Sequence, residues 1–231
     1  MSITSIYEAS RRSLSNQQAA INVTAQNITN ANNENFSRRK IDFNFKSTGI
    51  SSQNVERVHD KFLENQIRLE NQEYGRANVQ SSLFKNVEII FGEPGEGSLS
   101  NVMEKFWNSW DELSNDPESE VKRILVGNSG EQLANSFNSL NDRMENLSRE
   151  SASMAQDKVT KVNALIDQLG VVNRTANRSA ELLDKEDIII NDLSKLINIQ
   201  IKEDETGRKS VRSGGYSLIN GSEVTKFSIS S

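Results

Sequence analysis

The spacing of apolar residues constrains this chain more than any other feature. Tyr7, Leu14, Ile21 and Ile28 lie seven residues apart, with Ile3 and Ala25 flanking the same line. That period sets side chains along one narrow face of an α-helix. The residues between them are mostly Ser, Asn, Gln and Thr. The line is therefore too thin to pack into a globular core and reads as one half of a helix pair, waiting for its second strand. A helix this polar, alone in water, is expected to fray or stay disordered over residues 1–40.

The same period recurs. Val55, Phe62, Leu69, Leu83 and Ile90 form a second line, interrupted by Arg76, and predict a helix from about Val55 to Ile90. The Gly92–Gly97 stretch, with three glycines and Pro94, should end it. Leu99, Val102, Met103, Phe106, Trp110 and Leu113 follow helical spacing, with Trp107 on the shoulder. Asp116-Pro117-Glu118 reads as a helix start, a capping carboxylate before a proline whose missing N–H costs nothing there. Leu133, Leu140, Leu147 and Met154, continued by Val162, Leu165, Leu169 and Val172, predict one long helix packed on the second line, with Gly127 and Gly130 as possible kinks. After Ala176, Leu182, Leu183, Ile188, Ile189, Leu193, Leu196 and Ile197 suggest another helix. Ile199 and Ile201 then alternate, Glu205–Arg208 is a turn, and Val211, Gly214–Leu218 and Val224–Phe227 continue in β style. The fold expected is mainly α: an elongated bundle of long antiparallel helices with a small β-hairpin region at the C-terminal end. Two or three strands with no covering layer would be marginal alone. The lines through Phe62, Leu69 and Leu83 and through Leu133, Leu140 and Leu147 are expected to form the internal core.

Composition excludes several classes. Of 231 residues, 35% are hydrophobic, which is low for one thick core and favours narrow seams. No apolar run approaches the ~18 residues of a membrane span. The N-terminus has no basic start followed by an apolar stretch, so a cleaved signal peptide is not expected. With no cysteine there is neither a disulfide scaffold nor a thiolate metal site. The net charge of −5 leaves no broad positive field for nucleic acid.

A search for chemistry returns little. His59, the sole histidine, stands beside Asp60 and reads better as a solvated residue on a polar helix side than as a general base. Glu93 and Glu96 would repel a phosphate from the glycine-rich stretch. Glu203-Asp204-Glu205 lacks the spacing of a calcium loop and fits a polar turn. Arg38-Arg39-Lys40 fits an exposed bend, and helical spacing favours burial of Trp107 and Trp110. No catalytic, metal or cofactor residue is assigned.

The most specific motif is Asn27-Ile28-Thr29-Asn30-Ala31-Asn32-Asn33-Glu34-Asn35-Phe36-Ser37-Arg38. Its asparagines favour leaving a helix, and an aromatic then anchors the chain again. It resembles the N-terminal signature of the flagellar rod, hook and hook-associated proteins, in which an Asn-Ile-x-Asn run closes the first helix and a Gly-aromatic-Ser/Thr-Arg step follows. Asn35 stands where the family has Gly and is expected to carry the same positive-φ turn. The long helices, Glu181–Asp187 and Gly215–Gly221 resemble the hook–filament junction members rather than rod or hook proteins.

That resemblance implies a structural role at the hook–filament junction. It implies an extracellular place in the bacterial flagellum, reached by export without a cleaved signal peptide. Its partners would be neighbouring copies of itself, hook protein, a second junction protein or filament subunits, and the flagellar export machinery, with no nucleic acid and no membrane. Subunit contacts would fall on Ile3, Tyr7, Leu14, Ile21 and Ile28 and on Asn27, Asn30, Asn32 and Phe36. Residues 1–45 would be an axial-core segment, disordered until assembly, 46–198 a long-helix bundle and 199–231 the start of a β-rich domain. The break at Phe227–Ser231 inside a β segment is read as the edge of an N-terminal portion. The alternative from composition and period alone is a cytoplasmic coiled-coil adaptor; a hydrolase would rest on His59 only.

Overall fold

Alternation of apolar and polar residues decides the first departure from the helical expectation. Ile41 and Phe43 alternate with Lys40 and Asp42, a period of two that a helix cannot hold. The computed structural model describes residues 3–46, 49–92, 95, 97–175 and 178–229. Its elements run α1 (Ile3–Thr29), β1 (Arg39–Lys46), β2 (Gly49–Arg57), α2 (Lys61–Phe91), α3 (Leu99–Asn115), α4 (Glu120–Arg174), α5 (Ala180–Leu196), β3 (Gln200–Glu203), β4 (Lys209–Ser213), β5 (Tyr216–Asn220) and β6 (Glu223–Val224). The protein is mainly α, with a small antiparallel sheet near its C-terminal end. The breaker residues Glu93, Pro94 and Glu96, Ala176, and the terminal Met1, Ser2, Ser230 and Ser231 lie outside the described residues.

Strands β1 and β2 form an antiparallel hairpin in which Val55 sits opposite Ile41. Val55 thus belongs to a strand, and the second helix starts later than its seven-residue spacing predicts. Asp60 sets that start: its Oδ1 accepts from the amides of Phe62 at 2.9 Å and Leu63 at 3.2 Å. His59 precedes the helix in an exposed loop instead of lying on a helix face. Gly92 ends α2 at φ +68°, its amide donating to the carbonyls of Glu88 and Ile89, a left-handed closure that a Cβ would strain.

The chain divides into two compact units, Met1–Tyr74 with Lys161–Ser228 and Gly75–Thr160 with Ile229–Ser231. Within the second, Ser98 caps α3 by accepting from the Asn101 amide. The cap of α4 falls three residues later than expected: Ser119 accepts from the Lys122 amide, while Asp116 closes α3. Helix α4 runs unbroken through Gly127 and Gly130. A Cβ on Gly130 would lie 3.4 Å from the Phe106 ring, so the glycine admits that ring and does not kink the helix. Phe106 takes the inward position, and Trp107 and Trp110 meet it edge-on at centroid distances of 5.3 and 6.3 Å. Both tryptophans are exposed, contrary to expectation, while Phe106 sits against Gly130 of α4.

The expected core is also corrected. Phe62 and Leu69 are exposed, and among the described residues α2 buries none. Leu133, Leu140 and Leu147 are half-buried. The core proper lies in the first unit, where Val162, Leu165, Ile166, Leu169 and Val172 of α4 meet Ile189, Ile190 and Leu193 of α5 and Ile199, Val211, Leu218 and Ile219 on or beside the sheet. Each such side chain contributes roughly 1.5–3 kcal/mol on burial. The sheet has order β3-β4-β5-β6, and α4 and α5 give it the covering layer that the sequence did not disclose. At the β3–β4 turn Asp204 Oδ1 accepts from the Thr206 amide and hydroxyl and from the Arg208 amide, a local role that leaves the acidic run as a turn.

Candidate assembly surface

Helix α1 has two differently used faces. Asn16 and Val23 are buried, and Ala20 and Asn27 are half-buried, on the side that meets the hairpin. The seven-residue line lies on another side: Ile3, Tyr7, Leu14, Ile21 and Ile28 are all more than 60% exposed. The structure therefore brings the five residues onto one open stripe and leaves their large apolar groups in solvent. A line of five such groups on one helix far exceeds the scattered apolar residues of an ordinary surface.

The asparagine-rich segment turns the chain from α1 into β1. The Asn27 side chain and the Arg39 main chain exchange two hydrogen bonds of 2.8 and 2.9 Å. Asn30 donates to the Gln26 carbonyl, Asn33 accepts from the Asn35 amide, and the Phe36 amide donates to the Asn33 carbonyl. Phe36 lies beneath the Arg39 guanidinium, 4.9 Å from its ring centroid. Asn32 is exposed. Asn35 does not take positive φ; no non-glycine residue among those described does. The Asn33 side chain makes the turn instead, which is why Gly is dispensable at Asn35.

Arg39 is buried, not part of an exposed bend. It reaches across to α5, pairing with Glu181 at 2.5 Å and Asp184 at 3.5 Å. Arg57, at the end of β2, pairs with Asp184 at 2.9 Å and with Asp187. Lys209 of β4 also pairs with Asp187 and lies 3.7 Å from Glu186, which Arg178 holds at 2.8 Å. Glu181, Asp184 and Asp187 recur every three residues and so share one side of α5.

The electrostatics follow burial and pairing. The amide at the start of α5, then Arg39, hold the Glu181 carboxyl below its ordinary range. Burial pushes Asp187 up, but Lys209 and Arg57 together outweigh it and leave Asp187 lowered. For Glu186 burial prevails over Lys209 and Arg178, and its carboxyl is raised. His59, Arg57, Lys61 and Glu203 border one cavity of about 270 Å³, in which Lys61 is paired with Glu203 at 2.7 Å. No group of metal-ligating side chains is present among the described residues, and no helix among them is long and apolar enough to cross a membrane.

Sequence reasoning found the stripe and the turn but missed the arginine–carboxylate cluster. Arg39 and Asp184 are 145 positions apart, so no local period links them. The three-residue repeat of acids in Glu181–Asp187 was the one available signal.

Residues 84–231 match the family model for the flagellar hook-associated protein FlgK helical domain. Flagellar hook-associated protein 1 of Bacillus subtilis (strain 168) is 28% identical over 230 residues, covering 89% of this chain and 45% of that protein. Its counterpart from Salmonella typhimurium is 23% identical over 241 residues, covering 95% and 43%. The chain thus spans less than half the length of these relatives. Among solved structures, the flagellar hook junction protein FlgK from Burkholderia pseudomallei superposes with a TM-score of 0.59 at 21% identity, covering 70% of this chain and 30% of that one. At that identity the likeness bears on the fold alone.

Proposed function

The chain belongs to the flagellar hook-associated FlgK family, whose helical domain it carries, and from that premise we propose that it is a structural subunit of the hook–filament junction. The observation that supports this most directly is the exposed line Ile3, Tyr7, Leu14, Ile21 and Ile28 on α1. A helix that turns Asn16, Val23 and Asn27 to its own hairpin and leaves its seven-residue apolar line in solvent is built to receive a helix from elsewhere. In this reading residues 1–45 are the axial-core segment, whose apolar line is covered only on assembly, 46–198 the body, which opens with β2 and is otherwise built of long helices, and 199–231 the start of a β-rich region. Asn27, Asn30, Asn32 and Phe36 set the exit of that segment and border its contacts with neighbouring copies. The further partners are hook protein, a second junction protein or filament subunits, and the flagellar export machinery that carries the chain out of the cell without signal-peptide cleavage.

The role is mechanical and non-enzymatic in this reading; members of the family are structural proteins of the flagellum. A cytoplasmic coiled-coil adaptor is not favoured, since it accounts neither for the family match nor for the motif from Asn27 to Arg38. The test is the location of the tagged chain in flagellated cells, with and without residues 3–29. Recovery in purified hook–filament preparations that depends on those residues is the expected result. Retention of both forms in the cytoplasm would overturn the proposal.

A further inference from the structure

Residues 3–57 are attached to the rest of their unit by an unusual kind of contact. Among the side chains described, none of the twelve buried residues of the apolar core, and none of the partly buried residues packed on it, comes from α1 or the hairpin. Among the side chains described, which leave out 44–53, Val23 is the one buried apolar group of that stretch, on the face of α1 turned to the hairpin. The polar contacts that cross from the stretch to α5 pair Arg39 with Glu181 and Asp184 and Arg57 with Asp184 and Asp187, and the Ser37 amide donates to Asp184. Both guanidinium side chains are nearly buried, at 7% and 6% exposure. Arg39 Nε, also buried, has no hydrogen-bond partner among the described residues.

Such a contact differs from a core in what it does. A buried ion pair returns little net stability because desolvation offsets attraction, yet losing one partner strands the other charge. Segments without core contacts open at a lower free energy than the core they rest on, as cooperative units. We propose that α1 and the β1–β2 hairpin form a detachable arm, latched to α5 by Arg39 and Arg57 against Glu181, Asp184 and Asp187, and that the arm leaves as one body while the α4–α5–sheet core stays folded.

The groups that face the latch carboxylates are Arg39 on β1, Arg57 on β2, Lys209 on β4 and, beside it, Arg178 with Glu186. Glu181 and Asp187 are held below their ordinary range, so these two carboxylates remain charged in mild acid. Loss of a partner charge, or a competitor for the arginines, opens the latch. This inference does not depend on the junction role, since it concerns the isolated chain.

The test is amide hydrogen exchange on the complete 231-residue chain, comparing wild type with Asp184→Asn/Asp187→Asn and with the milder Asp187→Asn. Protection of amides in residues 39–57 should fall at least ten-fold in the double variant, with those in 162–172, 189–193 and 211–219 unchanged. Equal loss in both regions would overturn the proposal, because the arm would then be part of one cooperative unit. No loss in either would overturn it too, because the latch would then carry nothing. Should the double variant not fold, wild type alone decides. In low denaturant the arm amides must exchange through a smaller opening than the core amides, and a single common opening refutes the arm.

Discussion

The side chain of Asn27 binds the main chain of Arg39 as one strand binds another, donating to its carbonyl at 2.8 Å and accepting from its amide at 2.9 Å. A helix thereby satisfies the first residue of β1, and the direction of the hairpin is fixed against α1. Asn163 treats Phe227 in the same way, both bonds being 2.9 Å. Replacing Asn27 by Ala leaves a part-buried amide and carbonyl without partners and should cost roughly 1–3 kcal/mol of arm stability. Asn27→Asp keeps the acceptor, loses the donor and should fall between. Hydrogen exchange of the Arg39 amide reads the difference.

Asn173 is a more severe case. It is 1% exposed, and its Nδ2 donates to the carbonyls of both Lys209 and Gly221 at 3.0 Å, tying β4 to the turn before β6. Asn173→Ala strands two carbonyls beside the core, and roughly 2–4 kcal/mol of global stability should be lost. Urea unfolding followed by far-ultraviolet circular dichroism measures it. Asn173→Asp should be no better, since the lost group is the donor.

At Gly170 helix α4 and strand β6 approach closely. A Cβ built there would stand 2.6 Å from Val224 Cγ2, inside any real contact. Gly170→Ala should therefore destabilise the chain by about 1–3 kcal/mol despite the better helix propensity of Ala. Gly170→Ala combined with Val224→Ala should recover much of that loss in the same unfolding experiment. Gly127, which has open space around it, should gain from the same change.

How much of this was legible in the sequence depends on the range of the interaction. The stripe from Ile3 to Ile28, the helices α3 and α5, and the strands after Ile199 follow from periods of seven, three to four, and two, all read within a few turns of chain. Val55 was misplaced because it fits a seven-residue line by coincidence, while its real partner, Ile41, lies across a hairpin. Phe62 and Leu69 keep the spacing but are left exposed, and period alone does not reveal whether a stripe is covered. The latch was hidden for the opposite reason: Arg39, Arg57 and Asp184 have no period at all and meet only after α5 and the hairpin are placed.

The two neighbouring acids Glu186 and Asp187 should respond to pH with opposite signs. Asp187 is lowered in the folded chain, so its contribution is full above the ordinary aspartate value and fades as pH falls through the folded one. The destabilisation caused by Asp187→Asn, about 3 kcal/mol at neutral pH, should accordingly shrink in strong acid. Glu186 is raised by burial, so its contribution is greatest below the ordinary glutamate value and declines as pH rises through the folded one. Glu186→Gln should then cost less at neutral pH than in acid. Urea midpoints taken at several pH values for the three chains would show the two differences diverging, and parallel curves would contradict the assignment.

The stripe on α1 yields a prediction in which stability and assembly part company. Leu14 and Ile21 are 69% and 61% exposed, so replacing both by Asp removes little buried area and should change unfolding of the isolated chain by no more than about 0.5 kcal/mol each. In the proposed assembly the same positions enter an apolar seam, where an unpaired carboxylate is expelled with its full hydration cost. Leu14→Asp/Ile21→Asp should thus fold as wild type, by urea titration, and still be absent from purified hook–filament preparations. Asn16→Asp, on the face of α1 turned to its own hairpin, should reverse the pattern: part of the stability is lost because Asn16 is already buried in the isolated chain, while the apolar seam itself is intact. Equal assembly by the stripe variant and wild type would mean that this face of α1 meets no partner.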